Sequence, residues 1–455
     1  MAAVPTGSGH DDSRRRLLAR RLAGLATVGP AIPRRAASAA EAPLSPQQLR
    51  LWRLHRRDPS DSALVAARAF LLEGRLRGSL AAALAAVVGR HETLRTRYVL
   101  RGDGPVQAID PAAAPDLEIR DAAAHPPRAD ALADRVSTWA RRSFDLAREH
   151  PIRALLLRLG AERHVLAIAV HRICADARGL DRLVEDLRLA WEATASGAAP
   201  DTGTLPALPV RYADYAAWRV DDRREAVADA GDDAGLDPPI AGDPPDGPRA
   251  GVSSSRPLAP ALLADLRASA RARHTVLAVP LLAAFGARLC RTGGTEEAIV
   301  GLVRHTRERA ELDPLVGAFA QTIPIRIRHA AGEPFERLVD RLATCVPLRL
   351  AGMPSPEEPV AGPATPPLRA VLDVRPPAAP WPSRRDLRVT PLDLGPGATE
   401  HDLELRVVPG AEAWRITSMS RRGLPSAFRS NALADGLQAT LRAGACGAGR
   451  DADGL

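Results

Sequence analysis

Lysine is absent from this 455-residue chain, and Asn431 is its sole asparagine. Arginine therefore supplies the positive charge behind the net +8. That bias carries no functional weight by itself, although a basic surface favours acidic partners. Aromatic residues make up 3% of the chain, so aliphatic side chains must do most of the packing. The same scarcity argues against nucleic acid as a partner: stacking aromatics are few and the arginines are dispersed. Four cysteines, Cys174, Cys290, Cys345 and Cys446, stand far apart. They form no CxxC or Cys/His pattern, so no metal site is expected. Isolated thiols fit a reducing, cytoplasmic setting, and Cys174 reads as a small buried residue. No apolar run is long enough to span a membrane. The start of the chain loosely imitates a secretory leader, but its apolar part is interrupted and followed by Arg34 and Arg35. Ser13 to Leu25 reads instead as an amphipathic helix, either a docking element or the remnant of a linker.

What is present is ordinary for a folded protein: 45% hydrophobic and 25% charged residues over a length that suggests two or more domains. Asp221 to Ala250, rich in Asp, Pro, Gly and Arg, lacks apolar periodicity and reads as a linker between two comparable halves. The expected division is 1–41 for an N-terminal helix and linker, 42–220 for a first lobe and 221–250 for the linker. A second lobe follows at 251–445, then a tail at 446–455. In the first half, Ser45 caps a helix, Ser79 to Arg90 is helical, and Arg153 to Leu159 and His164 to His171 are strands. Gly179 to Thr194 places Leu180, Leu183, Val184, Leu187 and Trp191 on one helical face. The second half repeats the theme. Helices are expected at 261–272, 275–291, 335–345 and 427–442, and strands at 297–303, 321–328, 401–408 and 413–419. Mixed elements in both halves indicate an α/β or α+β fold.

The most informative run is AIAVHRICADARG, with His171, Arg172, Asp176 and Ala177. It resembles the HHxxxDG signature of the condensation domains of nonribosomal peptide synthetases, with Arg172 at the second His and Ala177 at the Gly. Five other segments support the resemblance. LSPQQLRLW carries Ser45, Gln48, Arg50 and Trp52, and GRHETLRTRY carries His91, Glu92, Leu94, Arg95 and Thr96. FDLAREHPIRALLLRLG leads to the signature strand, and RYADYAAWR carries Tyr212, Asp214, Tyr215 and Trp218. The run from Ile299 to Arg326 carries Gly301, Arg307, Glu311, Gly317, Phe319 and Thr322. Their order covers most of the chain from about Ala42 to Arg442.

The resemblance implies a two-lobed, V-shaped pseudo-dimer like chloramphenicol acetyltransferase, with a substrate tunnel between the lobes. It implies no cofactor of its own, and acyl or peptidyl carrier proteins that deliver substrates on phosphopantetheine. In such domains an acceptor amine attacks the donor thioester to form an amide. Arg172 occupies the position of the catalytic histidine, His171 the structural one, and Asp176 the aspartate that pairs with an arginine, here Arg307. His305, Gly317, Phe319, Gln321 and Thr322 are expected along the tunnel, with His305 a possible substitute base. Amide formation needs a group that takes a proton near neutrality. A guanidinium has no acceptor lone pair and stays charged. Losing a general base typically costs roughly 10²–10⁴ in rate.

Other departures are Val303 in place of a proline, Gln321 in place of an asparagine, and the absence of a tract like HQDxPFE. An HR pair is similar to the X-domains of glycopeptide synthetases, which recruit cytochrome monooxygenases; Ala177 makes that match partial. Three readings follow, of which the bland one is a decaying gene product with no role; two carry a function. One is a catalytically impaired module with a recruitment or scaffolding role, which includes a tailoring enzyme as a possible partner. The other is an active acyltransferase forming an amide or ester. The absence of an adenylation or carrier domain suggests a free-standing protein.

Overall fold

The computed structural model describes residues 31–446 with short interruptions, the longest at 112–116, 198–204, 227–250 and 351–368. The expected helix at Ser13 to Leu25, most of the linker and the tail beyond Cys446 lie outside the described residues.

The first lobe is built on strands β2 (Val65–Gly74), β5 (Leu117–Asp121), β6 (Ile152–Gly160) and β7 (Arg163–His171). Strand β7 is apolar without a break from Val165 to Val170, as a strand covered on both faces must be. Leu166, Ile168 and Val170 face a core shared with helix α2 (Leu80–Arg90) and helix α4 (Ala177–Ala195). Val165, Ala167 and Ala169 face a second core with helix α3 (Ala129–Ala140). A small sheet of β1 (Glu41–Pro43), β3 (Thr96–Arg101) and β4 (Gly104–Ile109) stands beside helix α1 (Pro46–Arg57) and helix α5 (Tyr212–Ala226). Ser45 caps α1 through a reciprocal pair of bonds with Gln48, and its hydroxyl lies 2.9 Å from that of Tyr212. Helix α5 runs to Ala226, so the expected linker starts at least six residues too early: 221–226 continue a helix.

The second lobe holds a six-stranded sheet ordered β10-β9-β11-β13-β14-β8. Its strands are β8 (Gly251–Pro257), β9 (Glu297–Arg304), β10 (Gln321–Arg328), β11 (Ala370–Val374), β13 (Leu403–Pro409) and β14 (Trp414–Arg421). Helices α6 (Pro260–Ala272), α7 (Ala278–Gly293), α8 (Phe335–Leu350) and α9 (Ser430–Cys446) contribute to its apolar core.

The lobes are not the two separate stretches that the sequence suggests. Strand β12 (Leu387–Pro391) comes from the second half but pairs with β2 at the edge of the first-lobe sheet, Leu387 against Gly74 and Pro391 against Phe70. Gly74, at φ +126°, is required there: a Cβ would stand 2.1 Å from the Asp386 carbonyl oxygen. Leu312, Leu315, Ala318 and Phe319 likewise pack into a first-lobe core with Tyr98, Ile173 and Tyr215. These two exchanges lock the halves together and fix the walls of the space between them.

Candidate functional site

A cavity of about 180 Å³ lies between the lobes. Its first-lobe wall includes Ala67, Arg172 and Ala177; its second-lobe wall includes His305, Thr322 and Glu400. Strand β7 delivers Arg172 just past its last residue, and the turn to α4 follows at once.

Arg172 is clamped. Its Nη1 donates to Glu400 Oε1 at 2.8 Å and to the Ala63 carbonyl at 3.4 Å. Glu400 also accepts from Arg50 of α1, at 3.0 and 3.3 Å. The Glu400 side chain is 3% exposed, against 35% for Arg172 and 49% for Arg50. Burial alone would raise the Glu400 carboxyl, but the Arg172 and Arg50 guanidiniums hold it well below the usual carboxylate range. Burial alone would lower Arg172; Glu400, Glu404 and Asp373 more than offset that and raise it. Arg172 is thus a fixed cation and no proton acceptor.

His171, the last residue of β7, is buried, 1% exposed. Its Nδ1 accepts the Ile173 N–H at 3.1 Å, and its ring meets His55 edge-on at 5.2 Å. Burial, followed by the charges of His55 and Arg172, pushes it well below the usual histidine value. It is neutral, and its place is in the packing.

Asp176 ties the lobes together. As the N-cap of α4 it accepts the Gly179 N–H at 2.7 Å. It also accepts the Phe319 and Ala320 N–H groups at 3.0 and 2.8 Å, and Arg307 Nη1 at 2.9 Å. Burial alone would raise its carboxyl, but Arg307 and the Gly179 N–H hold it low. Arg307 in turn lies 4.0 Å over the Phe319 ring. Ala177 is the first residue of α4, a position with ordinary helical backbone, so the side chain that replaces a glycine meets no φ penalty there.

The other tunnel residues divide. His305 and Thr322 line the cavity. Gly317 and Phe319 instead pack behind it: Phe319 lies among Tyr212, Tyr215 and Arg307, and a Cβ on Gly317 would fall 2.2 Å from the Tyr212 ring. Gln321 accepts a bond from Arg304. His305 is committed as well, with Nε2 2.5 Å from Asp373 Oδ1; its Nδ1 is buried and has no partner among the described residues. A base must reach the proton it removes, and a buried nitrogen does not. The Cys174 thiol is buried and its pKa is raised by that burial.

Sequence reading missed the second-lobe half of the ionic network. Asp373 sits between His305 and Arg375 (2.7 Å), and Glu404 is paired with Arg406. Burial opposes ionisation of both acids, and the neighbouring arginines overcome it. A signal existed: Asp373 in AVLDV and Glu404 and Arg406 in LELRVV are charges within strands of buried residues, where an unpaired charge is costly. Glu400, on a loop, carried no such mark. Among the described residues no His, Cys, Asp or Glu cluster is suited to a metal ion, and no helix is long and apolar enough to cross a membrane.

Comparison with known proteins agrees with this architecture. The family described as Condensation domain matches residues 38–348. The chain is 32% identical over 369 residues to phosphinothricin tripeptide synthetase PhsC of Streptomyces viridochromogenes, covering 76% of this chain and 33% of that one. It is 34% identical over 329 residues to the isonitrile lipopeptide synthase of Mycobacterium tuberculosis, covering 66% and 12%. It thus spans a third or less of the length of these curated relatives. The X-domain from teicoplanin biosynthesis superposes with a TM-score of 0.77 at 26% identity, over 94% of this chain and 99% of that one.

Proposed function

The chain belongs to the condensation-domain family, and from that premise we propose that the cavity between its lobes receives an acyl or peptidyl group carried on the phosphopantetheine arm of a carrier protein. Its setting is nonribosomal or hybrid peptide–polyketide biosynthesis. In this reading amide formation is impaired and the domain serves recruitment or scaffolding. One observation carries the proposal: the position that faces the cavity at the end of β7 holds a guanidinium clamped by Glu400, while His171 is shut away behind it. A fixed cation takes no proton and repels an incoming ammonium. The likeness to the X-domain supports a tailoring enzyme as partner, since that domain has been solved in complex with OxyB.

A second reading, an active acyltransferase forming an amide or ester, draws on the Asp176–Arg307 clamp and on the open cavity. The test is a transfer assay from an acylated carrier protein to an amine, followed by intact-protein mass spectrometry with Arg172→His and Arg172→Ala alongside. The proposal expects no product from the native protein and retained carrier binding. Native product equal to or above that of Arg172→His would overturn it in favour of the second reading.

A further inference from the structure

Arg172 does more than fill the place of a base. Its Nη1 is spent on Glu400 and Ala63. Among the described residues its hydrogen bonds all run through Nη1, and none runs through Nε or Nη2. Those two nitrogens form the side-on edge that grips carboxylates in pairs. Elsewhere in this chain Arg97 uses that edge on Asp110, at 2.7 Å for each bond, and Arg188 uses it on Glu185, at 3.0 and 2.8 Å. Arg172 itself lines the cavity.

Charge accounting points the same way. Glu400 is one carboxylate shared by two guanidiniums, Arg50 and Arg172. The other acids of the cavity wall are occupied: Asp176 by Arg307, Asp373 by Arg375, Glu404 by Arg406. The Arg50–Glu400–Arg172 group therefore keeps one positive charge in excess. The Glu400 clamp holds the guanidinium in place before any ligand arrives, which lowers the ordering cost of binding.

We propose that the free edge of Arg172 is a carboxylate-recognition site, so that the cavity selects a carboxylate-bearing small group and rejects one bearing an ammonium. This rests on the reading of the cavity as the place of a tethered acyl group. The carboxylate arrives either at the far end of that acyl group or on a free small acid beside it. Both meet the same guanidinium edge, and a cavity of about 180 Å³ admits a group of this size.

The experiment is calorimetric titration of the full chain with three pantetheine thioesters of nearly equal length: succinyl, butyryl and β-alanyl. A further titration adds free succinate to protein saturated with butyryl-pantetheine. The expected order is succinyl, then butyryl, then β-alanyl, with about tenfold between the first two, as one charge-assisted bidentate contact supplies. Arg172→Gln removes the difference between succinyl and butyryl. Preference for succinyl-pantetheine assigns the carboxylate to the acyl group; binding of free succinate, abolished by Arg172→Gln, assigns it to a second ligand. Butyryl and succinyl thioesters of equal affinity, with no binding of free succinate, overturn the inference and leave the proposed function standing. So does a preference that Arg172→Gln does not move. Failure of all three thioesters to bind overturns the tethered-acyl reading and this inference with it. A thermal melt of the variant confirms that the loss is local.

Discussion

Asp176→Ala tests the interlobe clamp most directly. The carboxylate collects three backbone N–H groups and the Arg307 guanidinium, and the two side chains are 7% and 1% exposed. Solvent therefore screens this pair little. Truncation leaves a buried guanidinium without its counter-charge, which costs roughly 3–5 kcal/mol. It also removes the N-cap of α4, by itself about 0.5–2 kcal/mol. Both losses belong to one carboxylate and do not add, so the expected total stays near ~3–5 kcal/mol. Removing the orphaned charge as well, in Asp176→Ala/Arg307→Met, should recover part of the loss, because an apolar replacement of a buried pair is often close to neutral. The assay is urea denaturation of the single and double variants, read by circular dichroism and tryptophan fluorescence. Trp218, whose neighbour Tyr215 packs on Phe319, reports from this region. The pH dependence has a definite sign. The folded carboxyl lies below its unfolded value, so its contribution is present above the unfolded value near ~3.9 and is lost as pH falls through the folded one. A cost below about 1 kcal/mol for Asp176→Ala, or a double variant less stable than the single, would refute the clamp; the threshold is the net worth of an ordinary hydrogen bond.

Three further outcomes follow. His171 is held neutral by burial, so the unfolded chain binds its proton more readily and native stability declines as pH falls below ~6.5. In His171→Leu the slope of melting temperature between pH 7 and pH 5 should flatten, although overall stability drops through loss of the Ile173 N–H acceptor; an unchanged slope would remove His171 from the account. Gly317→Ala forces a methyl against Tyr212 and Phe319, and denaturation should show a loss of about 1–3 kcal/mol from overpacking. Ser45→Ala removes the α1 cap and the contact with Tyr212, for a loss of about 1–2 kcal/mol by the same measurement.

Much of this site was legible before any coordinates. The HRICADA run placed Arg172 just past a strand and Asp176 in the turn before a helix, because six apolar residues, Val165 to Val170, lead to it and an amphipathic repeat follows it. The tunnel residues were legible only in part. Thr322 lines the cavity and Phe319 does not, although only two residues separate them, because Phe319 precedes β10 and packs into the first-lobe core. Nothing in a local run marks which of two neighbouring apolar or small residues faces a cavity.

The sequence by itself determined the kind of fold, the positions of the main helices and strands, and the loss of a titratable base at Arg172. These depend on local patterns and on the chemistry of one side chain, and both are written residue by residue. Tertiary structure alone decided what Arg172 does instead. Glu400, 228 residues away, reaches it only because β12 crosses to the first-lobe sheet and carries the loop before β13 over the cavity. An ion pair between such distant residues depends on chain crossing and on burial, and neither has a local signature.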